Sequence, residues 1–117
     1  MVTDAIPVSS PTLALVEVAG ALARRTGSQP LAESAIRYLK GQSWLTLLPL
    51  SIVFSETAAR VAITCSLRGA DAVYVALARQ ESACLITIDD EMLKRSVPAV
   101  LAMMPGDWLR QNPGEIT

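Results

Sequence analysis

Three carboxylates interrupt the apolar runs of this chain. Glu17 stands between Leu13-Ala14-Leu15-Val16 and Val18-Ala19, Asp71 opens Ala72-Val73-Tyr74-Val75-Ala76-Leu77-Ala78, and Asp89 closes Cys84-Leu85-Ile86-Thr87-Ile88. An ionised carboxylate removed from water is costly unless it is paired, hydrogen-bonded or bound to a metal. Any fold this chain adopts must accommodate three acids at the ends or on the faces of its core elements. A cluster that holds a cation is one solution. Each acid also has a plainer one. Glu17 can face solvent or meet a neighbouring arginine. Asp71 can sit at the positive end of a helix. Asp89 can cap the helix that follows it, although the adjacent Asp90 is assigned that role because Thr87 and Asp90 have a capping-type spacing.

With 117 residues the chain suits one compact domain, residues 1–117 with a core from about 6 to 109. Hydrophobic residues make up 51% and aromatics only 4%. Ala, Leu and Val therefore build the core, which favours helices around a small sheet over an all-β sandwich. No apolar run reaches the ~18 residues of a membrane span, and Met1-Val2-Thr3-Asp4 lacks the basic start of a signal peptide. A cytoplasmic protein without membrane contact is expected. Ten basic and 11 acidic residues leave a net charge of −1, so no global field attracts nucleic acid. Such a partner needs a local patch, metal-bound phosphate or a second protein. The chain has no histidine, which excludes Ser-His-Asp and Cys-His catalysis and most zinc sites. Cys65 and Cys84 form no metal motif and read as buried thiols.

The pattern of elements is strand, helix, helix, strand, helix, helix, strand, helix, strand. Ile6–Val8 is a short strand. Ser10 caps a helix that starts at Pro11, runs to Arg25, is apolar almost all round and should be largely buried. Gly27 stops it. Pro30 to Lys40 forms a second helix with Glu33, Ser34, Arg37 and Lys40 on its wet face. Trp44–Leu48 is a strand, and Trp44 belongs to the core. Ser51 caps a helix from Ile52 to Ser66, Gly69 breaks the chain, and Ala70–Glu81 is helical. Cys84–Ile88 is a strand, Glu91–Arg95 a short helix, Val100–Met104 a last strand and Pro105-Gly106 a turn. Apolar strands alternating with helices indicate a parallel sheet covered on both sides, where ligands bind at the carboxyl ends of the strands. Asp89 follows such an end.

Carboxylates without histidine or thiolate are the donors that Mg²⁺ and Mn²⁺ prefer, and such ions can clamp a phosphodiester and activate water. The segment Leu67-Arg68-Gly69-Ala70-Asp71-Ala72-Val73-Tyr74-Val75-Ala76-Leu77-Ala78, followed by Cys84-Leu85-Ile86-Thr87-Ile88-Asp89, resembles the C-terminal half of a PIN domain. Ser10-Pro11-Thr12-Leu13 through Glu17-Val18-Ala19-Gly20-Ala21-Leu22 resembles its middle acidic helix. The resemblance spans about Ile6 to Leu109, and Arg-Gly-Ala-Asp-Ala is its most specific part. It implies an α/β fold, a three-layer α/β/α arrangement with a parallel sheet, and a Mg²⁺- or Mn²⁺-dependent nuclease site. Many bacterial members are ribonuclease toxins of the VapC type, neutralised by a small antitoxin. Glu17 would then be the family's second acid, Asp71 the third and Asp89 the acid after the next strand. All three would be metal ligands and catalytic residues that direct water at RNA. Arg24, Arg68, Lys94 and Arg95 would meet RNA phosphates. A homodimer is expected as well.

One part of the pattern is missing. The family's first acid follows an N-terminal strand, and Asp4 precedes Ile6–Val8, at the opposite end of that strand. The resemblance thus implies an N-terminally truncated domain with impaired cleavage. A non-catalytic PIN-like module that only binds protein partners is the alternative. A phosphotransfer domain of the response type is weaker still, since no lysine follows at the strand end that chemistry needs.

Overall fold

The computed structural model describes residues 6–96 and 99–113. They fall into two compact units, 6–50 and 51–113. The mixed α/β class with parallel strands is as expected, and the strands pair as two two-stranded sheets, one in each unit. Among the described residues no single helix is long and apolar enough to cross a membrane.

The N-terminal unit is a strand–helix–helix–strand crossover: β1 (Val8–Pro11), α1 (Leu13–Thr26), α2 (Gln29–Lys40) and β2 (Leu45–Leu48). β1 and β2 run parallel, with Val8 opposite Leu45 and Pro11 opposite Leu48. Backbone bonds from Val8 N to Trp44 O (2.8 Å) and from Thr12 N to Leu48 O (2.9 Å) close the ladder at its two ends. Parallel strands need such a crossover, and two helices supply it. The first strand therefore lies later than Ile6–Val8, and Pro11 ends a strand instead of starting a helix. The reason is non-local. Pairing with β2 holds Ser9-Ser10-Pro11 extended, and proline, lacking an N–H, is tolerated at such a position. Helix α1 begins after Thr12, which makes no side-chain capping bond, so the expected Ser10 cap is not used.

The other helix ends follow their residues. Gly27 is left-handed (φ 69°) and its N–H reaches Ala23 O, while Arg24 and Arg25 occupy the last turn. Ser28 Oγ accepts from Leu31 N (3.2 Å) and caps α2. Glu33, Ser34, Arg37 and Lys40 are exposed, as expected for the wet face. Trp44 is half-buried, and its Nε1 donates to Gln42 Oε1 (3.1 Å). No residue of α1 is fully buried, contrary to the expectation for so apolar a helix. Within its unit it meets α2 and β1, and a unit this small has too few elements to enclose a helix on every side.

The C-terminal unit contains α3 (Ile52–Cys65), α4 (Gly69–Gln80), β3 (Leu85–Ile86), α5 (Asp90–Ser96), β4 (Ala102–Met103) and α6 (Pro105–Gln111). Its core is the α3–α4 hairpin. Phe54, Ala58, Val61 and Cys65 of α3 are buried, as are Ala72, Val73, Val75, Ala76, Leu77 and Ala78 of α4. The small residues of α4 allow a close approach. Ser51 Oγ accepts from Phe54 N (3.1 Å), the expected cap of α3. Gly69 does not break the chain but is the first residue of α4. The break is made upstream by Ser66, left-handed at φ 54°, with Leu67 N bonded to Ala62 O. Ser82 (φ 50°) ends α4 in the same way, with Ala83 N bonded to Ala78 O. β3 and β4 are parallel, Leu85 opposite Ala102 and Ile86 opposite Met103. Pro105-Gly106, expected as a turn, opens α6 with proline at its start, where a missing N–H costs nothing.

The packing assigns stability unevenly. Leu77 is 3% exposed and Ile88 is 80% exposed. Leu77→Ala should lower the unfolding free energy by about 2–5 kcal/mol, and Ile88→Ala should change it by no more than about 0.5 kcal/mol. Urea unfolding followed by circular dichroism reads both. Equal losses at the two positions would contradict the core described above.

Candidate functional site

Glu17 lies near the middle of α1 and is exposed. It belongs to the N-terminal unit, whereas Asp71 and Asp89 belong to the C-terminal unit. Asp71 is half-buried in the first turn of α4, the third residue after Arg68 at the N-cap. That turn presents unbonded N–H groups and the positive end of the helix dipole, which favours an anion there. Ala72 and Val73, the next two residues, are buried in the hairpin core, so the backbone that carries Asp71 is fixed by packing.

Asp89 is exposed and caps α5. Its Oδ1 accepts from Glu91 N (2.8 Å) and Met92 N (3.2 Å), and its carbonyl accepts from Leu93 N (3.0 Å). Asp90 is the first residue of the helix. The cap is therefore Asp89 and not Asp90. The reason lies in Thr87, whose Oγ1 accepts from Asp89 N (3.1 Å) and turns the chain one residue earlier than the spacing suggested. Thr87 N in turn bonds to Met103 O (3.1 Å), which extends the β3–β4 pairing. After β3, the Asp89 carboxylate is thus held by the N–H groups that follow it, and its own N–H by the Thr87 hydroxyl before it. Its Oδ2 accepts no bond from a described residue and stays open for another partner.

The expected phosphate-binding cations differ in how they are engaged. Arg68 and Lys94 are exposed, and neither makes an ion pair with a described residue. Arg95 is committed: Nη1 donates to Ser66 O, and Nη2 pairs with Glu91 (3.0 Å) one helical turn earlier. The first of these bonds ties α5 to the left-handed turn that ends α3. Arg24 is exposed at the end of α1, and its guanidinium lies beside Gly20, within 3.5 Å of where a Cβ would be. Sequence reasoning missed the Glu91–Arg95 pair, although its four-residue spacing was the signal. It also missed the contact with Ser66, which no local pattern encodes.

The donor chemistry suits a hard cation, because the acids stand without any histidine. Within each unit, no three described Asp, Glu or Cys side chains form a group that could hold a metal. Cys65 is buried and Cys84 half-buried, both as free thiols. Burial pushes the Cys84 thiol up from its ordinary range, so it is a poor thiolate donor. An open groove of about 590 Å³ runs between α1 and α2, lined by Leu15, Val16, Ala19, Ala32 and Ile36 among others. Its apolar walls suit packing and offer little to an ion.

Comparison with known families bears on the domain as a whole. The family model described as PIN domain matches residues 2–97. No curated protein and no solved structure matches the chain.

The two roles open to Asp89 can be separated. Asp89→Ala removes the cap and should cost about 0.5–2 kcal/mol, while Asp89→Asn keeps an oxygen for the same N–H groups and should cost much less. Thermal or urea unfolding of the two variants measures the difference. Equal destabilisation would contradict the capping role of Oδ1.

Proposed function

The chain is a member of the PIN domain family, and on that premise we propose that it is a metal-dependent endoribonuclease of the VapC toxin type. PIN domains are in general nucleases that use divalent metals. The family match is the observation that carries the reading. In it, Glu17, Asp71 and Asp89 are the ligands of Mg²⁺ or Mn²⁺ and the catalytic acids. When bound, such an ion supplies a Lewis acid that lowers the pKa of water and offsets charge on a phosphodiester. The residues of this chain have separate tasks. Asp89 offers Oδ2 from a side chain whose Oδ1 is already fixed, so little rotamer freedom is lost on binding. Asp71 offers a carboxylate from a turn anchored by the α3–α4 core. Arg68 and Lys94, neither ion-paired with a described residue, supply cations for the RNA backbone. Arg24 and Arg95 belong to the same proposed RNA surface, with Arg95 also bracing the Ser66 turn.

On this reading the partners are RNA, a small antitoxin and a second copy of the chain, and the setting is the cytoplasm. The second reading, a non-catalytic protein-interaction module, is favoured by one observation: among the described residues, neither unit contains a three-acid group of its own.

Single-turnover cleavage of an unstructured RNA with Mn²⁺ distinguishes the two. The nuclease reading expects measurable cleavage that EDTA abolishes. It expects Asp71→Asn to lose about 10²-fold or more, the scale of a lost electrostatic stabiliser. No cleavage by the unaltered chain, or equal cleavage by Asp71→Asn, would favour the interaction module instead.

A further inference from the structure

Helix α3 ends without a cation of its own. Every other described helix has an arginine in its last turn: Arg24, Arg37, Arg79, Arg95 and Arg110. The last turn of α3 has no basic residue. The carbonyls there carry the negative end of the helix dipole and lack helical partners. Arg95 fills the place from another helix. Its Nη1 donates to the carbonyl of Ser66, the left-handed residue that caps α3, 29 positions away in the chain. Nη2 of the same guanidinium pairs with Glu91 (3.0 Å). The planar fork of arginine lets one side chain serve both partners at fixed angles.

Each end of this contact leads to a proposed metal ligand. Ser66 is followed by Leu67 and by Arg68, the N-cap of α4, and Asp71 lies in the first turn of that helix. On the other side, Asp89 is bonded through Oδ1 to the N–H groups of Glu91 and Met92. Its carboxylate therefore turns with the axis of α5. That helix has only 7 residues, about 10 Å of length. Its start is joined to β4 through Thr87, whose N–H bonds to Met103 O (3.1 Å). Met92 and Ser96 are buried, but burial is non-directional and sets which side faces inward more than where the axis points. A rod held at one end can swing. Arg95 stands at the other end and fixes it to the turn that leads to Asp71.

We propose that Arg95 is a positioning residue for the divalent ion: by capping α3 from α5, it sets the aim of the Asp89 carboxylate relative to Asp71. Resting on the metal-dependent nuclease reading, this gives Arg95 a task in which its guanidinium touches neither ion nor RNA. Carboxylates that serve one cation need their placement held to about 0.5 Å, and like charges push them apart while the ion is absent. Charge alone would act in the opposite direction. A cation near two acids repels a metal ion, so its removal by itself tightens metal binding. Loss of the tie between α5 and the Ser66 turn weakens it.

Mn²⁺ titration of the full chain, read by the free-ion electron paramagnetic resonance signal, tests this with Arg95→Ala. The Arg95 side chain is 46% exposed, so the fold should survive, and circular dichroism checks that it does. Uptake should weaken by about tenfold, the lower end of the loss when a ligand's support is removed. In an Asp89→Asn background the same substitution should cost no further affinity, because groups that act through one another are not additive. Amide hydrogen exchange of the metal-free chain gives a second reading. The N–H groups of Glu91 and Met92 should exchange faster in Arg95→Ala, while that of Leu77 in the core stays unchanged. Uptake as tight as before or tighter, an equal loss in the Asp89→Asn background, or unchanged exchange at Glu91 and Met92 would overturn the proposal and leave the nuclease reading standing. No saturable uptake by the unaltered chain would overturn that reading, and this proposal with it.

Discussion

The packing of α4 against α3 is the constraint on which the C-terminal unit depends. Within α4, Ala72, Val75 and Ala76 are almost wholly removed from solvent, and Val73, Leu77 and Ala78 nearly so. Burial of this kind is worth roughly 25 cal/mol per Å² of apolar surface, which makes the hairpin the main source of stability in that unit. It also determines position. The backbone of Asp71 is continuous with buried Ala72, so it cannot move without opening the core. The aliphatic run that packs the helix and the acid that begins it are one device. Asp89 is held differently, by backbone N–H groups and Thr87 at the start of α5, and Arg95 ties that helix to the turn after α3. Two acids of one unit thus rest on separate supports, one apolar and one polar.

Much of this was legible because the signals are local. Gly27 as a helix stop, Ser51 as a cap, the wet face of α2 and the buried run of α4 each depend on neighbours a few residues away, and the structure has all of them. The misplacements share a physical cause. Ser9-Ser10-Pro11 has the local chemistry of a helix start, but pairing with Leu45–Leu48, far along the chain, holds it extended. Ser66 and Ser82 adopt left-handed backbone where glycine is the usual residue, so no residue type marked either helix end, and Gly69 drew the break to itself. Asp89 and Asp90 are equally good caps by type. Thr87 decided between them through a single hydrogen bond.

The candidate site was legible as residues and not as geometry. Composition limited the chemistry sharply: a chain without histidine, with carboxylates in apolar runs, has few catalytic options beyond a hard cation. Resemblance then proposed roles for the three acids; the PIN domain match over residues 2–97 bears out the family alone. Spacing alone could not show that Glu17 sits on an exposed helix of one unit while Asp71 and Asp89 sit at helix starts in another. Nor could it show that Arg95 spends its guanidinium on Ser66 and Glu91 while Arg68 and Lys94 remain unpaired among the described residues.

The central proposal is that Glu17, Asp71 and Asp89 are this chain's ligands for a divalent ion. Its most direct test is Mn²⁺ binding to the full chain, read as loss of the free-ion electron paramagnetic resonance signal during titration. The account predicts saturable uptake that Glu17→Gln and Asp71→Asn each weaken by about 10–100-fold or more, at least the loss seen when a ligand's supporting partners are removed. Uptake unchanged in both variants, or no saturable uptake by the unaltered chain, would contradict it.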